Sequence, residues 1–190
     1  AGIDCWHHIE EGVGHAESPY VPVLANQYEF FDKYLKPAPD AAWTVLVDED
    51  FESGFGAFVD GGANAILYTE GTYSIDSQCL NLEDGNGSVS AAWLNSALDL
   101  TGSTDLKIEF TYLPITFNSG DNWLVEFSDD GGSSWSTIKY YLKGTDFDND
   151  TRCWEKLTIN SDGFNFTNNV NIRFRCDANG AGDDVYIDNV

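Results

Sequence analysis

Residues 121–142 read DNWLVEFSDDGGSSWSTIKYYL, and the reading of this stretch decides the fold. Trp123, Val125 and Phe127 alternate on one side of its centre, and Ile138, Tyr140 and Leu142 alternate on the other. A period of two on both sides predicts two antiparallel strands, so SDDGGSSW at 128–135 is a hairpin connection rather than a metal loop or an active site. Gly131 and Gly132 supply the positive φ that tight turns need, and Asp129 or Asp130 can accept hydrogen bonds from the turn's own amides. Tyr140 and Tyr141 are adjacent, so on a regular strand one of them must face away from the core.

Working outward from the hairpin, the β pattern extends from Thr44 to the end of the chain. TVLV, AILY, CLNL, VSAAW, LKIEFTYLPI, WEKLTI, NIRFRC and DVYIDNV are short β-branched or aromatic runs, separated by clusters such as DGGANA, NSGD and ANGAGDD. About ten antiparallel strands without a repeat of 20–50 residues predict an all-β, jelly-roll β-sandwich over 46–190, and argue against solenoids and propellers. The first 37 residues differ. Leu24, Tyr28, Phe31 and Leu35 share one helical face, with Pro22 suited to the first turn and Pro37 closing the run, so an amphipathic helix is expected over 22–36. A short stiff linker, 38–45, would follow.

Nine Lys+Arg stand against 32 Asp+Glu among the 190 residues, a formal net charge of −23. Such a surface repels phosphate backbones and anionic lipid and attracts cations, which argues against nucleic-acid partners. No apolar run has the length of a membrane span. Aromatic residues make up 14% of the chain, enough for a core, and each of Trp43, Trp93, Trp123, Trp135 and Trp154 is expected there by default. An exposed aromatic among them, or the outward tyrosine, would offer a platform for a sugar face.

The four cysteines have no zinc spacing, and three sequons occur at Asn86, Asn149 and Asn165. Together they predict a secreted, extracellular glycoprotein with two disulfides. CWEKLTIN and NIRFRC flank the turn SDGFNFTN, and pairing them as a hairpin would join Cys153 to Cys176 and leave Cys5 for Cys79, one of three connectivities. The segment DFDNDTRCWEKL at 146–157 opens like an EF-hand but has Thr151 where glycine is required and Leu157 where the closing glutamate belongs. Cys5, His7, His8 and His15 lack a convincing fourth ligand and read as a surface loop.

Ser128, Asp130, Gly132 and Trp135 have the spacing of the Asp-box, a hairpin motif of sialidases, reelin-type repeats and other secreted β-proteins, where its role is structural. Three arginines and a single such hairpin do not make a sialidase propeller. Over 46–190, DEDFESGFGAF, WLVEFSDDGGSSW, CWEKLTI, NIRFRC and the closing DDVYIDNV resemble a jelly-roll module of the MAM and reelin-repeat kind. That resemblance implies a non-catalytic recognition or adhesion module that contacts glycans or extracellular proteins. It also implies structural calcium between the first and last strands. Asp48, Asp50 and Glu52 alternate and would point one way, and with Asp183, Asp184 and Asp188 they are the expected oxygen ligands.

HHIEEGVGHAESPYVPVLANQYEFFDKYLK resembles the C-terminal end of an α/β-hydrolase, with His15 at the catalytic histidine's place, but no G-x-S-x-G elbow accompanies it. By itself the chain therefore lacks a catalytic constellation, and an accessory module of such an enzyme is a further expectation. The building unit of a self-assembling fibre or array is another, because an incomplete last strand at DDVYIDNV would leave an edge for a neighbour.

Overall fold

A computed structural model describes residues 43–61, 64–83, 90–178, 180 and 182–190. Nine of the expected runs become strands in it, TVLV at 44–47 does not, and an unexpected strand at Phe58–Asp60 brings the number among the described residues to ten. They are β1 (Phe58–Asp60), β2 (Ala65–Tyr68), β3 (Cys79–Glu83), β4 (Ser90–Leu94), β5 (Asp105–Ile115), β6 (Asn122–Ser128), β7 (Ser136–Leu142), β8 (Cys153–Asn160), β9 (Asn171–Cys176) and β10 (Asp184–Asp188). Two five-stranded sheets result: a front sheet in the order β1-β4-β9-β6-β7 and a back sheet in the order β2-β3-β10-β5-β8. Every strand pair is antiparallel. There is no helix among the described residues, and the expected helix 22–36 lies outside them.

Alternation places one side of each sheet in the core. Trp123, Val125 and Phe127 of β6 and Ile172, Phe174 and Cys176 of β9 turn inward from the front sheet. Leu80, Leu82, Val185 and Ile187 meet them from the back sheet. Phe110 sits between the layers, with ring centroids 5.0 Å from Phe174 and 6.0 Å from Trp123. Tyr141 is buried and stacks on Trp123 at 3.9 Å, while Tyr140 is 45% exposed, as alternation requires.

Four further expectations change. β8 and β9 do not form a hairpin: β8 pairs only β5 in the back sheet, and β9 lies between β4 and β6 in the front sheet. Cys153, Cys176 and Cys79 are not joined in disulfides, so neither expected bridge forms; Cys5 lies outside the described residues. The last strand is not an open edge either. β10 is hydrogen-bonded on both sides, to β3 and β5, which removes the argument for strand-by-strand assembly there. Finally, the core default holds for Trp123 at 0% exposure but not for Trp93 and Trp135, which are half-buried, nor for Trp43 and Trp154, which are exposed.

Candidate functional site

The outward side of the front sheet presents two rows of side chains that cross all five strands. In register, the first runs Val59, Trp93, Arg173, Glu126, Thr137, and the second runs through Ala91, Arg175, Leu124 and Tyr140. Gly61 continues the second row, its amide donating to the Ala91 carbonyl at 2.9 Å. It lies under Trp93: a Cβ on Gly61 would sit 1.7 Å from the indole, so only glycine lets the ring lie there.

Trp135 arrives from the hairpin above the first row. Its ring is 6.5 Å from Trp93, and the Arg173 guanidinium sits 4.2 Å from its centroid, a cation–π contact. Ser128 and Asp130 hold the turn. The Gly132 amide donates to Ser128 Oγ at 2.7 Å, and Asp130 accepts from the Ser134 amide at 2.9 Å and the Ser134 hydroxyl at 2.7 Å. These bonds, the Ser134 hydroxyl first, hold the Asp130 carboxyl down at about 2.

Glu126 occupies the middle of the face and is 5% exposed. Its Oε2 accepts from Arg173 Nη2 at 2.6 Å, Arg173 Nε at 2.8 Å and Arg175 Nε at 3.1 Å. Arg175 Nη1 reaches Asp177 at 2.7 Å. Burial lowers the Arg173 pKa, whereas for Arg175 the two carboxylates outweigh burial and raise it. Asn122 and Asn171 share this side of the sheet by alternation, and the Oδ1 of each is buried without a partner in the protein. The surface thus combines half-buried indoles with rigidly held guanidiniums, which suits a polyhydroxylated ligand.

The expected calcium carboxylates lie elsewhere, and Asp50, Glu52, Asp183 and Asp188 accept from backbone amides. Residues 48–52 are not a strand, and Phe51 has φ 58°, so the alternation argument fails. Asp48 and Asp50 are exposed. Glu52 Oε1 accepts from the Ser77 and Gln78 amides, both at 2.8 Å, and Asp188 accepts from the Ile75 amide at 2.8 Å and the Asn189 amide at 2.9 Å. Asp183 accepts from the Gly180 amide at 3.0 Å, and burial lifts Asp184 to about 6.

The first and last segments are indeed neighbours, through Glu49 N to Val190 O and Val190 N to Glu49 O, both 2.9 Å. Glu49 is the inward carboxylate there, accepting from the Phe51 and Ala57 amides at 2.8 and 2.6 Å. Among the described residues no three His, Cys, Asp or Glu side chains form a group that could hold a metal. Asn165 is exposed, Asn149 donates to the Phe117 carbonyl at 3.0 Å, and Asn86 and His15 lie outside the described residues.

No family model matches the chain, and no curated protein matches it in sequence. Solved structures match in architecture. A carbohydrate-binding module from the β-sandwich superfamily, described for promiscuous specificity, aligns with TM-score 0.54 at 15% identity, over 74% of this chain and 58% of its own. The C-terminal family 22 carbohydrate-binding module of Clostridium thermocellum Xyn10B gives 0.51 at 17%, over 80% and 94%. The K1 cleaved adhesin domain of Lys-gingipain from Porphyromonas gingivalis W83 gives 0.52 at 14%, over 75% and 94%. The fold is shared. This chain spans less than two thirds of the first of these proteins. The neighbours support a β-jelly-roll module, and neither the MAM or reelin assignment nor the hydrolase-like segment.

The sequence reading put Trp93 and Trp135 in the core by default and weighed them as sugar platforms only if exposed, passed over Glu126, and treated Arg173 and Arg175 only as strand residues. A signal was present: two of the chain's three arginines alternate with Ile172, Phe174 and Cys176 in one strand of a very acidic chain. Positive charge concentrated on the solvent side of a central strand marks a face with a special task.

Proposed function

We propose that this chain is a non-catalytic glycan-binding module whose ligand lies across the front sheet over Trp93, Arg173 and Arg175. The observation that carries the reading is the open, row-ordered aromatic and guanidinium surface centred on Glu126. Exposed indole faces stack on the apolar faces of sugar rings, and fixed polar groups read their hydroxyls. The structural neighbours described as carbohydrate-binding modules lend the same reading support. Affinity electrophoresis against a panel of soluble polysaccharides tests it. Retention of the native protein by at least one polysaccharide, lost in Trp93→Ala, is the expected result; no retention by any of them ends the proposal.

An extracellular setting accompanies this reading, since polysaccharides and sequons are met there. Adhesion to a protein is the second reading, favoured by the fold of the adhesin-domain neighbour. Calcium also stays a proposal, resting on the net charge of −23 and on the adjacency of the two acidic segments. A cation there would have to draw Glu52 and Asp188 away from the amides they now accept.

A further inference from the structure

We infer that Glu126 is a specificity-determining residue of the front face: by neutralising Arg173 and Arg175 it selects uncharged glycans and rejects uronate- or sulfate-bearing ones. The inference rests on the glycan-binding reading above and deepens it.

Arg173 and Arg175 stand two residues apart on a central strand and so project from the same side of it. Two such guanidiniums side by side are the usual means of gripping a carboxylate or sulfate, since each offers a planar fork of N–H donors. Here the fork is already filled. Both arginines donate to one oxygen of Glu126, and Arg175 donates in addition to Asp177. Two positive and two negative groups on and beside the face leave it balanced, inside a chain whose net charge of −23 repels polyanions at longer range.

Glu126 is also hard to displace. It is 5% exposed, and an incoming anion would have to strand it as an unpaired buried charge. What the arginines retain are N–H groups not used by Glu126 or Asp177, since each guanidinium has five donors. The Oδ1 acceptors of Asn122 and Asn171 lie on the same side of the sheet but are buried, so the groups offered outward are these remaining donors. A hydroxyl can accept from those donors without setting a negative charge against Glu126 and Asp177, whereas a carboxylate or sulfate cannot.

The test uses affinity electrophoresis and calorimetry with unsubstituted xylan and hydroxyethylcellulose as neutral probes, and polygalacturonate and chondroitin sulfate as acidic ones. The native chain is expected to bind a neutral probe and neither acidic one. Glu126→Gln is expected to gain at least tenfold in affinity for polygalacturonate, and the gain should vanish in 0.5 M NaCl, as a screened charge interaction must. Asp177→Asn, which leaves Glu126 in place, should show a smaller gain of the same salt-sensitive kind, and it carries the test if Glu126→Gln fails to fold.

Binding of acidic probes by the native chain overturns the inference. So does a folded Glu126→Gln, or in its absence Asp177→Asn, that still ignores polygalacturonate. Failure of the underlying reading looks different: the native chain then retains no polysaccharide, or Trp93→Ala binds as well as the native chain.

Discussion

The outward sides of the two sheets have opposite fates. On the front sheet, half-buried indoles and guanidiniums lie on the outward side, with Trp135 of the hairpin resting over Arg173. On the back sheet Tyr73 of the segment 69–78 packs on the outward side and covers part of it, while Ile66 and Trp154 on that side stay exposed. Tyr73 packs between Tyr68 and Tyr186, at 5.3 and 4.6 Å, above Cys79, Leu113 and Ile115. Polar anchors hold that segment: Glu52 takes the Ser77 and Gln78 amides, Asp188 takes the Ile75 amide, and Arg152 donates to the Tyr73 carbonyl at 2.6 Å. One outward side is thus partly spent on stability, and the other is the one on which the proposed ligand would lie.

The sharpest way to break this contrast is to damage the covered side. Tyr186 is 5% exposed, and Tyr186→Ala is expected to cost about 3 kcal/mol in urea unfolding, the usual range for losing a buried ring, with glycan affinity per folded molecule unchanged. Loss of affinity at constant stability would mean that the back sheet contributes to the site.

Damage to the open side should do the reverse. Trp93→Ala should lower glycan affinity at least tenfold, about 1.4 kcal/mol, by calorimetry, while shifting the melting temperature far less than Tyr186→Ala does. Trp154, 64% exposed on β8 of the back sheet, is the control. If Trp154→Ala loses binding and Trp93→Ala does not, the ligand has been put on the wrong sheet.

Acid titration separates the two regions by sign. On the back sheet, burial raises Asp184 from its usual 3.8 to about 6. Its ionisation therefore weakens the fold, and stability falls as pH rises from about 4 to about 6. In the front hairpin, Asp130 is lowered to about 2, so its contribution is present above 3.8 and fades as pH falls toward 2. Asp184→Asn should flatten the first slope and Asp130→Asn the second, as followed by melting temperature; unchanged slopes would overturn both assignments.

The smallest effect is expected from chelation. Calcium should raise the melting temperature of the native chain only modestly, because its carboxylates must leave their amide partners to bind it. Equal melting temperatures in EDTA and in millimolar calcium would remove the metal altogether.

Much of the architecture was legible in the sequence because alternation is a local property. β6 and β7 were visible in Trp123, Val125 and Phe127 and in the Tyr140–Tyr141 pair. Even the covered back sheet left a trace. β5 alternates from Asp105 to Phe110 and then becomes apolar at Leu113 and Ile115, outward positions that only a covering segment explains. The disulfide was misread because sequence neighbours were taken for spatial neighbours. Asn160 and Asn171 end and begin strands of different sheets, and the intervening turn crosses the sandwich instead of folding back.

The sequence by itself determined that this protein is a β-sandwich with an acidic surface and a structured hairpin at 128–135, since periodicity, charge and turn chemistry act over a few residues. Only the tertiary structure decided which indoles stay in reach of solvent, and that Glu126 joins Arg173 and Arg175, because residues 47 and 49 positions apart meet only when β6 and β9 pair. It likewise decided that Glu52 and Asp188 turn to the amides of 69–78. A carboxylate's partner is set by what lies within about 3 Å of it, and no local pattern in the chain records that distance.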